Sequence, residues 1–154
     1  MIQSNLVFVF DWEWENILLC MKKRGFWVWK WNWPGWKVGL DETILEWAKR
    51  ELSEETWIDI PQEELEYRWI LHFFHHWKPE WDQDVNIFVH HGYTWEFYET
   101  EEMLPKWYPI SEIPYDKMWE DDNTWLPILI SWEEFEFTFK FWENWKIIEW
   151  QRHK

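Results

Sequence analysis

The chain has 154 residues, 47% of them hydrophobic, and a formal net charge of −15, which suits one domain, residues 1–154, with a single core. A field of this sign repels polyanions and argues against a protein that coats a nucleic-acid polymer. Cys20 is the only cysteine, which excludes an intrachain disulfide and suits a reducing cytoplasm. No stretch approaches the roughly 20 apolar residues of a membrane span, so we expect a soluble, cytoplasmic monomer without a membrane partner.

Runs of β-branched and aromatic residues predict most of the chain as strands of one sheet. The expected strands cover residues 6–10, 16–21, 67–74, 85–93, 106–110, 135–141 and 146–149. Residues 22–41 are rich in turn formers and cations and predict a long loop, and the last two strands predict a closing hairpin. Residues 126–132 fit either a strand or a helix. A mixed sheet with one or two helices follows, so the fold class is α+β or α/β.

One helix is expected from about residue 44 to residue 56. Thr43 and Glu46 have the spacing of a capping box at its start. Apolar residues then recur every four positions from Ile44 to Leu52 and predict a buried stripe.

Three glutamates of this helix, Glu51, Glu54 and Glu55, fall within one arc of about 100°. Carboxylates this close repel each other unless something cationic lies among them. Hard oxygen ligands of this kind suit Mg²⁺ or Mn²⁺ bound together with substrate phosphates. A solvated acidic face, common on surface helices, explains the same residues equally well, so the helix alone leaves both interpretations open.

A longer pattern around this helix resembles the Nudix box, G-x5-E-x7-R-E-U-x-E-E-x-G-U with U aliphatic. In order, the matching positions are Trp36, Glu42, Arg50, Glu51, Leu52, Glu54, Glu55, Trp57 and Ile58. Every charged and aliphatic position agrees with the pattern, and only the two glycines, replaced by Trp36 and Trp57, do not. That many fixed positions make the resemblance specific.

This resemblance implies a Nudix hydrolase with that family's fold, an α/β/α sandwich (class α/β) with a mixed, partly barrel-like sheet and the box helix packed on it. It implies a Mg²⁺ site, with Mn²⁺ as an alternative, whose ligands are the backbone carbonyl of Trp36 and the carboxylates of Glu51, Glu54, Glu55 and Glu102. Arg50 and Glu42 would form the ion pair that orients the ligands. One carboxylate of the set, or one in a later loop such as Glu102, would deprotonate the attacking water.

The resemblance extends over nearly the whole chain to one branch, the MutT-homologue triphosphatases that destroy oxidised purine nucleotides. Residues 118–125, Met-Trp-Glu-Asp-Asp-Asn-Thr-Trp, match that branch's Trp-Pro-Asp-Asp segment most clearly. The substrate-binding residues implied are Lys22, Phe26, Asn32, Phe73, Trp119, Asp121 and Asp122. Trp119 would stack on the base, while Asn32 and the two aspartates would bind its edges. The implied reaction is Mg²⁺-dependent hydrolysis of a substrate such as 8-oxo-dGTP to the monophosphate and pyrophosphate, which sanitises the nucleotide pool.

The two neighbouring aspartates have a chemical reason to lie in such a pocket. Enclosed together, they cannot both ionise easily, so one keeps its proton and the pair offers both a donor and an acceptor. An ordinary acidic turn is the alternative for this pair, and plain core is the alternative for Phe26 and Phe73. The sequence departs from the branch at Glu120, which replaces Pro, and at His75, where an aromatic residue is expected. Another nucleotide substrate, or a catalytically inactive nucleotide-binding module, remains an alternative function.

The chain has 20 tryptophans and only 4 glycines, whereas ordinary domains carry about 7% glycine. Tryptophans that align with glycine or near-glycine sites of the family are Trp27, Trp29, Trp33, Trp36, Trp47, Trp57, Trp69, Trp77 and Trp95. Trp145 follows Asn144 where a hairpin favours Asn-Gly, and Trp12, Trp14, Trp132 and Trp142 border turns.

These positions suggest a translation artefact. The codons UGA and GGA differ by one base, and some bacteria read UGA as glycine. Our hypothesis is that UGA codons meant for glycine appear here as tryptophan, and a genuinely Trp-rich protein is the alternative. The hypothesis predicts indoles turned outward at turns and not assembled into a core.

Overall fold

The segments expected to be strands form one mixed sheet in the computed structural model, which describes residues 1–23, 30–32, 41–93 and 96–154, with only the backbone of Trp31 and Asn32. Its main elements, in chain order, are β1 Ile2–Phe10, β2 Asn16–Lys22, β3 Trp31–Asn32, α1 Ile44–Thr56, β4 Glu66–His75, β5 Gln83–His91, β6 Met103–Pro109, α2 Asp122–Ile130, β7 Glu136–Phe141 and β8 Ile147–Arg152. None of the helices in these ranges is long and apolar enough to cross a membrane.

The sheet branches at β2. Its strand order is β3-β2-β1-β5-β4-β7-β8, and β6 also pairs with β2. The pairs β1–β5 and β4–β7 are parallel, and the others are antiparallel. In the described residues β1 and β2 meet only at Phe10 and Ile17, whereas β6 follows β2 from Asn16 to Lys22. The mixed sheet is confirmed, but over the described ranges it does not close into a barrel.

The two helices pack on opposite faces of this sheet. Consecutive strand residues point to opposite faces, so Val7 and Val9 of β1 join the apolar cluster that holds α1. Phe8 and Phe10 join the cluster that holds α2. This arrangement confirms the α/β/α sandwich and places the glutamates of α1 and the aspartates of α2 on opposite sides of the sheet.

Helix α1 begins and ends where its sequence predicts. The hydroxyl of Thr43 accepts a hydrogen bond from Glu46 N at 3.1 Å, and the Glu46 carboxylate accepts one from Thr43 N at 2.8 Å, which completes the capping box. The helix ends at Trp57, whose backbone is left-handed (φ 66°) and whose N–H donates to Ser53 O at 2.9 Å. A left-handed residue at this position is the usual helix stop and favours glycine.

The segment 126–132, which fitted either a strand or a helix, lies mostly in α2. The apolar residues that α2 buries are Trp125, Leu126 and Leu129. They are spaced three and four positions apart, as expected of one helical face. Strand β1 also differs from expectation, because it begins at Ile2 and not at residue 6. Gln3, Ser4 and Asn5 near its start are polar, yet β1 pairs continuously with β5 along its whole length. Backbone pairing cannot be inferred from side-chain polarity.

Four tryptophans have a left-handed backbone in the described residues: Trp14 (φ 57°), Trp57 (φ 66°), Trp132 (φ 67°) and Trp145 (φ 59°). Asn144 (φ 59°) is the other described non-glycine residue of this kind. Positive φ at both Asn144 and Trp145 is the backbone of a hairpin turn that favours Asn-Gly. For an L-residue other than glycine this conformation costs roughly 1–2 kcal/mol, so the strain coincides with positions suspected of being glycine.

The burial of the indoles agrees with the glycine hypothesis only in part. Trp12, Trp14, Trp57 and Trp142 are exposed, as expected of side chains at turns. Trp69 contradicts the expectation, because it is buried, stacks on Phe135 and donates from Nε1 to Glu133 O at 3.0 Å. Trp132 also departs from it, because this half-buried indole packs against the same core, 5.3 Å from the Trp69 ring. Five other tryptophans at suspected glycine positions lie outside the described residues: Trp27, Trp29, Trp33, Trp36 and Trp95.

Replacing Trp57 by glycine is expected to raise the free energy of unfolding by about 1 kcal/mol, because it removes left-handed strain. The indole is 67% exposed, so little packing is lost. Urea unfolding measures the change. Trp142→Gly is the matched control, since that indole is also exposed (47%) but its φ is −93°, where glycine relieves nothing. Equal shifts in the two variants would contradict the explanation.

Candidate active site

The three glutamates of α1 differ in exposure although they share one face. Glu55 is buried, with 7% of its surface exposed, while the side chains of Glu51 and Glu54 are 17% and 55% exposed. Glu55 lies close to Cys20 of β2. Burial raises the pKa of the Cys20 thiol, and the negative charge of Glu55 raises it further. The glutamates therefore run from the sheet outward to solvent.

Arg50 lies among these carboxylates. Its Nε donates to Glu42 Oε1 at 3.0 Å and its Nη1 to Glu54 Oε1 at 2.7 Å, while Nη2 lies 3.6 Å from Glu51 Oε1. The hydrogen bond to Glu54, followed by that to Glu42, raises the pKa of Arg50. The guanidinium also lies 4.2 Å from the centre of the Trp47 ring. The ion pair implied for Arg50 and Glu42 is thus present, and Arg50 also holds Glu54.

The α1 glutamates suit a divalent cation in the chemistry of their donors. Carboxylate oxygens are the ligands that Mg²⁺ and Mn²⁺ prefer. Within the described ranges no three such side chains are gathered around one point, because Glu51 and Glu54 are turned toward Arg50. The exposed Glu54 side chain has room to rotate. Trp36, whose carbonyl is the further expected ligand, lies outside the described residues.

A cleft of about 880 Å³ opens beside the C-terminal end of α1. The residues that line it are Lys23, Ser53, Glu54, Trp57, Glu99, Thr100 and Glu101. The end of β2 borders this cleft, since Lys22 pairs with Met103 and Lys23 N donates to Glu102 O at 2.8 Å. The structure therefore brings Lys22 and the loop of Glu102 to the same end of the molecule as the carboxylate helix.

The two aspartates lie at the start of α2 and are both buried. Asp121 Oδ2 accepts a hydrogen bond from Trp125 Nε1 at 3.0 Å, and Asp122 Oδ2 accepts one from Trp119 N at 2.9 Å. The ammonium of Lys30 lies over the Trp119 ring, 4.8 Å from its centre. Trp119 is thus held by one aspartate and faces a cation.

Burial alters the protonation of this aspartate pair. It raises the pKa of Asp121 to about 6. It raises the pKa of Asp122 well above its usual value, and the charge of Asp121 adds to that shift. Two like charges this close disfavour double ionisation. Both shifts favour a proton on the pair, which is the condition under which it offers one donor and one acceptor group.

Phe73 lies in the α2-side core and connects to Trp119 through other rings. Its centroid is 5.2 Å from Phe141, Phe141 is 5.7 Å from Trp145, and Trp145 is 5.9 Å from Trp119. Asn32 is placed by its backbone opposite Cys20 of β2. Phe26 lies outside the described residues, and so does the side chain of Asn32.

Polar residues that sequence reasoning did not single out lie next to Phe73 in the sheet. Ser4 Oγ donates to Gln83 Oε1 at 2.9 Å, both residues are buried, and Gln83 pairs with Phe73 across the sheet. Ser4 and Gln83 are 79 positions apart, so no local pattern could have indicated them. Lys30 could have been found from the sequence, because it belongs to the cation-rich segment of residues 22–41. Thr100, which contacts α1, had none.

Replacing Asp121 by asparagine is expected to stabilise the protein near pH 8 but not near pH 4, by on the order of 1–2 kcal/mol. Burial raises the folded-state pKa to about 6, above the unfolded value of about 3.9. The stability contributed by the protonated group is therefore complete below the unfolded pKa and is lost as pH rises through the folded pKa. Urea unfolding at both pH values measures the difference.

Asp116→Asn is the control for this prediction, because it removes the same charge from an exposed aspartate. It should show no such pH dependence. A matching gain in the control would mean that net charge, and not burial, causes the effect.

Comparison with known proteins finds relatives in sequence and solved structures with a similar fold. No protein-family model matches the sequence. The proteins named oxidized purine nucleoside triphosphate hydrolase from Danio rerio and Mus musculus are each 38% identical to this chain over 131 residues. The matched region covers 82% of this chain and 79% and 80%, respectively, of those proteins.

Solved structures share the fold. The MutT protein from Bacillus halodurans matches with a TM-score of 0.82 and 23% identity, over 99% of this chain and 98% of its own. A bifunctional NMN adenylyltransferase/ADP ribose pyrophosphatase from Francisella tularensis, solved with AMP and a Mn ion, matches with a TM-score of 0.66 and 22% identity. That match covers 84% of this chain and 41% of the longer protein. At these low identities the structural matches support the fold and not a shared activity.

Proposed function

We propose that this chain, which belongs to the Nudix hydrolase family in the branch of the oxidised purine nucleoside triphosphate hydrolases, cleaves such a triphosphate to the monophosphate and pyrophosphate. The observation that carries the proposal is the buried pair Asp121 and Asp122 beside Trp119, whose backbone N–H donates to Asp122. A site of this kind suits a base with an altered donor and acceptor pattern. The enzyme is a Nudix pyrophosphohydrolase, and sanitising the nucleotide pool is its proposed role.

The reaction uses a divalent metal ion, as Nudix hydrolases do, and we propose Mg²⁺, with Mn²⁺ as an alternative. The ligands proposed are Glu51, Glu54, Glu55, Glu102 and the carbonyl of Trp36. When bound, the ion lowers the pKa of the attacking water and neutralises charge on the transferred phosphoryl group.

Arg50 prepares the carboxylate face. It holds Glu42 at 3.0 Å and Glu54 at 2.7 Å, so its charge offsets the repulsion between neighbouring glutamates. One carboxylate, of Glu102 or of α1, takes the proton from the water. Because Arg50 competes for the oxygens of Glu54, the ion pair with Glu42 is the one we expect to persist in the loaded enzyme.

The substrate would cross the sheet at the end of β2. There Cys20 lies near Glu55 of α1 and Met21 packs on the α2-side core, so the triphosphate and the base can lie on different faces. Lys22, next along the strand, is proposed to contact the phosphates. The strand end therefore joins the metal face to the base pocket.

In the base pocket, Trp119 is proposed to stack on the purine in place of the Lys30 ammonium now over its ring. One aspartate donates a hydrogen bond to the base and the other accepts one. Asn32 would bind the opposite edge, and Phe26 and Phe73 would line the walls.

We also propose that residues 1–154 form one domain and that the protein is a monomer. A cytoplasmic location suits the buried, reduced Cys20. The test is pyrophosphate release from a substrate panel with Mg²⁺. We expect 8-oxo-dGTP to be turned over faster than dGTP or ADP-ribose. Equal turnover of dGTP, or turnover of ADP-ribose alone, would reject the substrate assignment.

An inactive nucleotide-binding module is the second candidate, because Trp47 and Trp57 crowd the carboxylate helix. The Trp47 ring packs on Arg50, and Trp57 lines the cleft beside Glu54. Such a module would retain 8-oxo-dGTP in a binding assay without releasing pyrophosphate.

A further inference from the structure

We propose that Thr100 is a positioning residue, whose hydroxyl fixes the loop of Glu102 to the carboxylate helix. The inference rests on the proposed function, in which Glu102 binds the metal ion or acts as the base. Thr100 lies between β5 and β6, far in sequence from α1, and its side chain is half-buried. Its position in the sequence does not connect it with the helix.

The Thr100 hydroxyl uses its full hydrogen-bonding capacity. Oγ1 donates to Glu55 O at 3.2 Å and accepts from Glu102 N at 3.3 Å and from Met103 N at 3.1 Å. A threonine hydroxyl has one donor and two acceptor sites. One oxygen atom thus links the backbone of a helix glutamate directly to the backbone of the loop glutamate.

The end of α1 needs such partners. The last backbone carbonyls of a helix accept no hydrogen bond from within the helix. Here the loop supplies the donors. Besides the Thr100 bond to Glu55 O, Tyr98 N donates to Thr56 O at 3.1 Å. The same contacts that complete the helix end therefore place the loop.

The other side of the loop is held by β2. Lys23 N donates to Glu102 O at 2.8 Å, and Lys23 Nζ donates to Thr100 O at 2.9 Å. Thr100 N also donates to Met103 O at 2.9 Å, which closes the loop on itself. With α1 on one side and β2 on the other, the loop backbone has little freedom at Glu102.

These hydrogen bonds fix the position of Glu102 relative to the glutamates of α1. A functional constellation must hold its groups to within about 0.5 Å, and groups on loops are less precise than groups on helices. Glu55 is buried on α1, whereas Glu102 is an exposed loop residue. The Thr100 hydroxyl gives the loop residue the precision of the helix, without itself touching metal or substrate.

The experiment compares Thr100→Val, which keeps the shape and removes the hydroxyl, with Thr100→Ser, which keeps the hydroxyl. Each is made in the full chain and in a Glu102→Gln background. The readouts are Mn²⁺ affinity without nucleotide, by electron paramagnetic resonance, together with kcat and KM for 8-oxo-dGTP and the melting temperature. Thr138→Val, at a half-buried hydroxyl on β7 bonded to His153, is the control.

Thr100→Val is expected to weaken Mn²⁺ binding and lower kcat by about 10-fold to 100-fold, as loss of an outer-shell partner does. KM should change little, and Thr100→Ser should behave as the parent chain. In the Glu102→Gln background Thr100→Val should add almost nothing, because residues that act through one another are not additive.

Three results would overturn the inference: parent-like Mn²⁺ affinity and kcat in Thr100→Val, full additivity with Glu102→Gln, or an equal loss in Thr100→Ser. If Thr100→Val does not fold, Thr100→Ala is read against Thr100→Ser in the same way. A parent chain that neither binds Mn²⁺ nor releases pyrophosphate overturns the proposed function and this inference together. A parent chain that does both, with an unaffected Thr100→Val variant, overturns this inference alone.

Discussion

Replacing Glu55 by glutamine is expected to lower the turnover of 8-oxo-dGTP by about 100-fold to 1000-fold, with folding preserved. Glutamine keeps the shape of the side chain and removes the charge that a divalent ion needs. Because Glu55 is only 7% exposed, removing its charge also removes a desolvation cost. Pyrophosphate release measures the activity, and circular dichroism measures the folding.

Glu54→Gln should have an effect of the same order for a partly different reason. Besides losing a metal ligand, it loses the 2.7 Å ion pair with Arg50. Glu63→Gln is the control, since Glu63 is exposed outside α1 and should leave turnover unchanged. Near-normal turnover in both helix variants would show that the catalytic carboxylates are not on α1.

Replacing Asp122 by asparagine is expected to reduce the preference for 8-oxo-dGTP over dGTP by about 10-fold to 100-fold. The carboxyl group can donate or accept according to its proton, and burial raises its pKa so that the protonated form is available. Asparagine cannot supply the protonated carboxyl group, so 8-oxo-guanine loses a matching partner and its advantage over guanine falls. The ratio of kcat/KM for the two nucleotides measures the change.

The Asp121→Asn variant should also lose selectivity, because Asp121 is the other half of the pair. Asp116→Asn, at an exposed aspartate before α2, controls for the loss of one negative charge near a polyanionic substrate. If both pocket variants keep the parent ratio, the purine is bound elsewhere.

The bounds of helix α1 and the placement of its glutamates could be predicted from the sequence because every determinant is local. The capping box joins Thr43 to Glu46, and the three glutamates lie within five positions of one another, so helical periodicity alone puts them on one face. The left-handed backbone at Trp57 was predictable for the same reason, since helix ends favour that conformation at one position. Family resemblance then selected a metal face over a solvated one.

Only the tertiary structure decided which of the polar residues are buried and what they contact. The aspartate pair has a raised pKa because α2 packs it against the sheet, and Trp69 is a core residue because Phe135 stacks on it. Thr100 reaches Glu55 across 45 positions, and Ser4 reaches Gln83 across 79. Such pairings depend on which strands become neighbours, and no spacing within one segment of the chain carries that information.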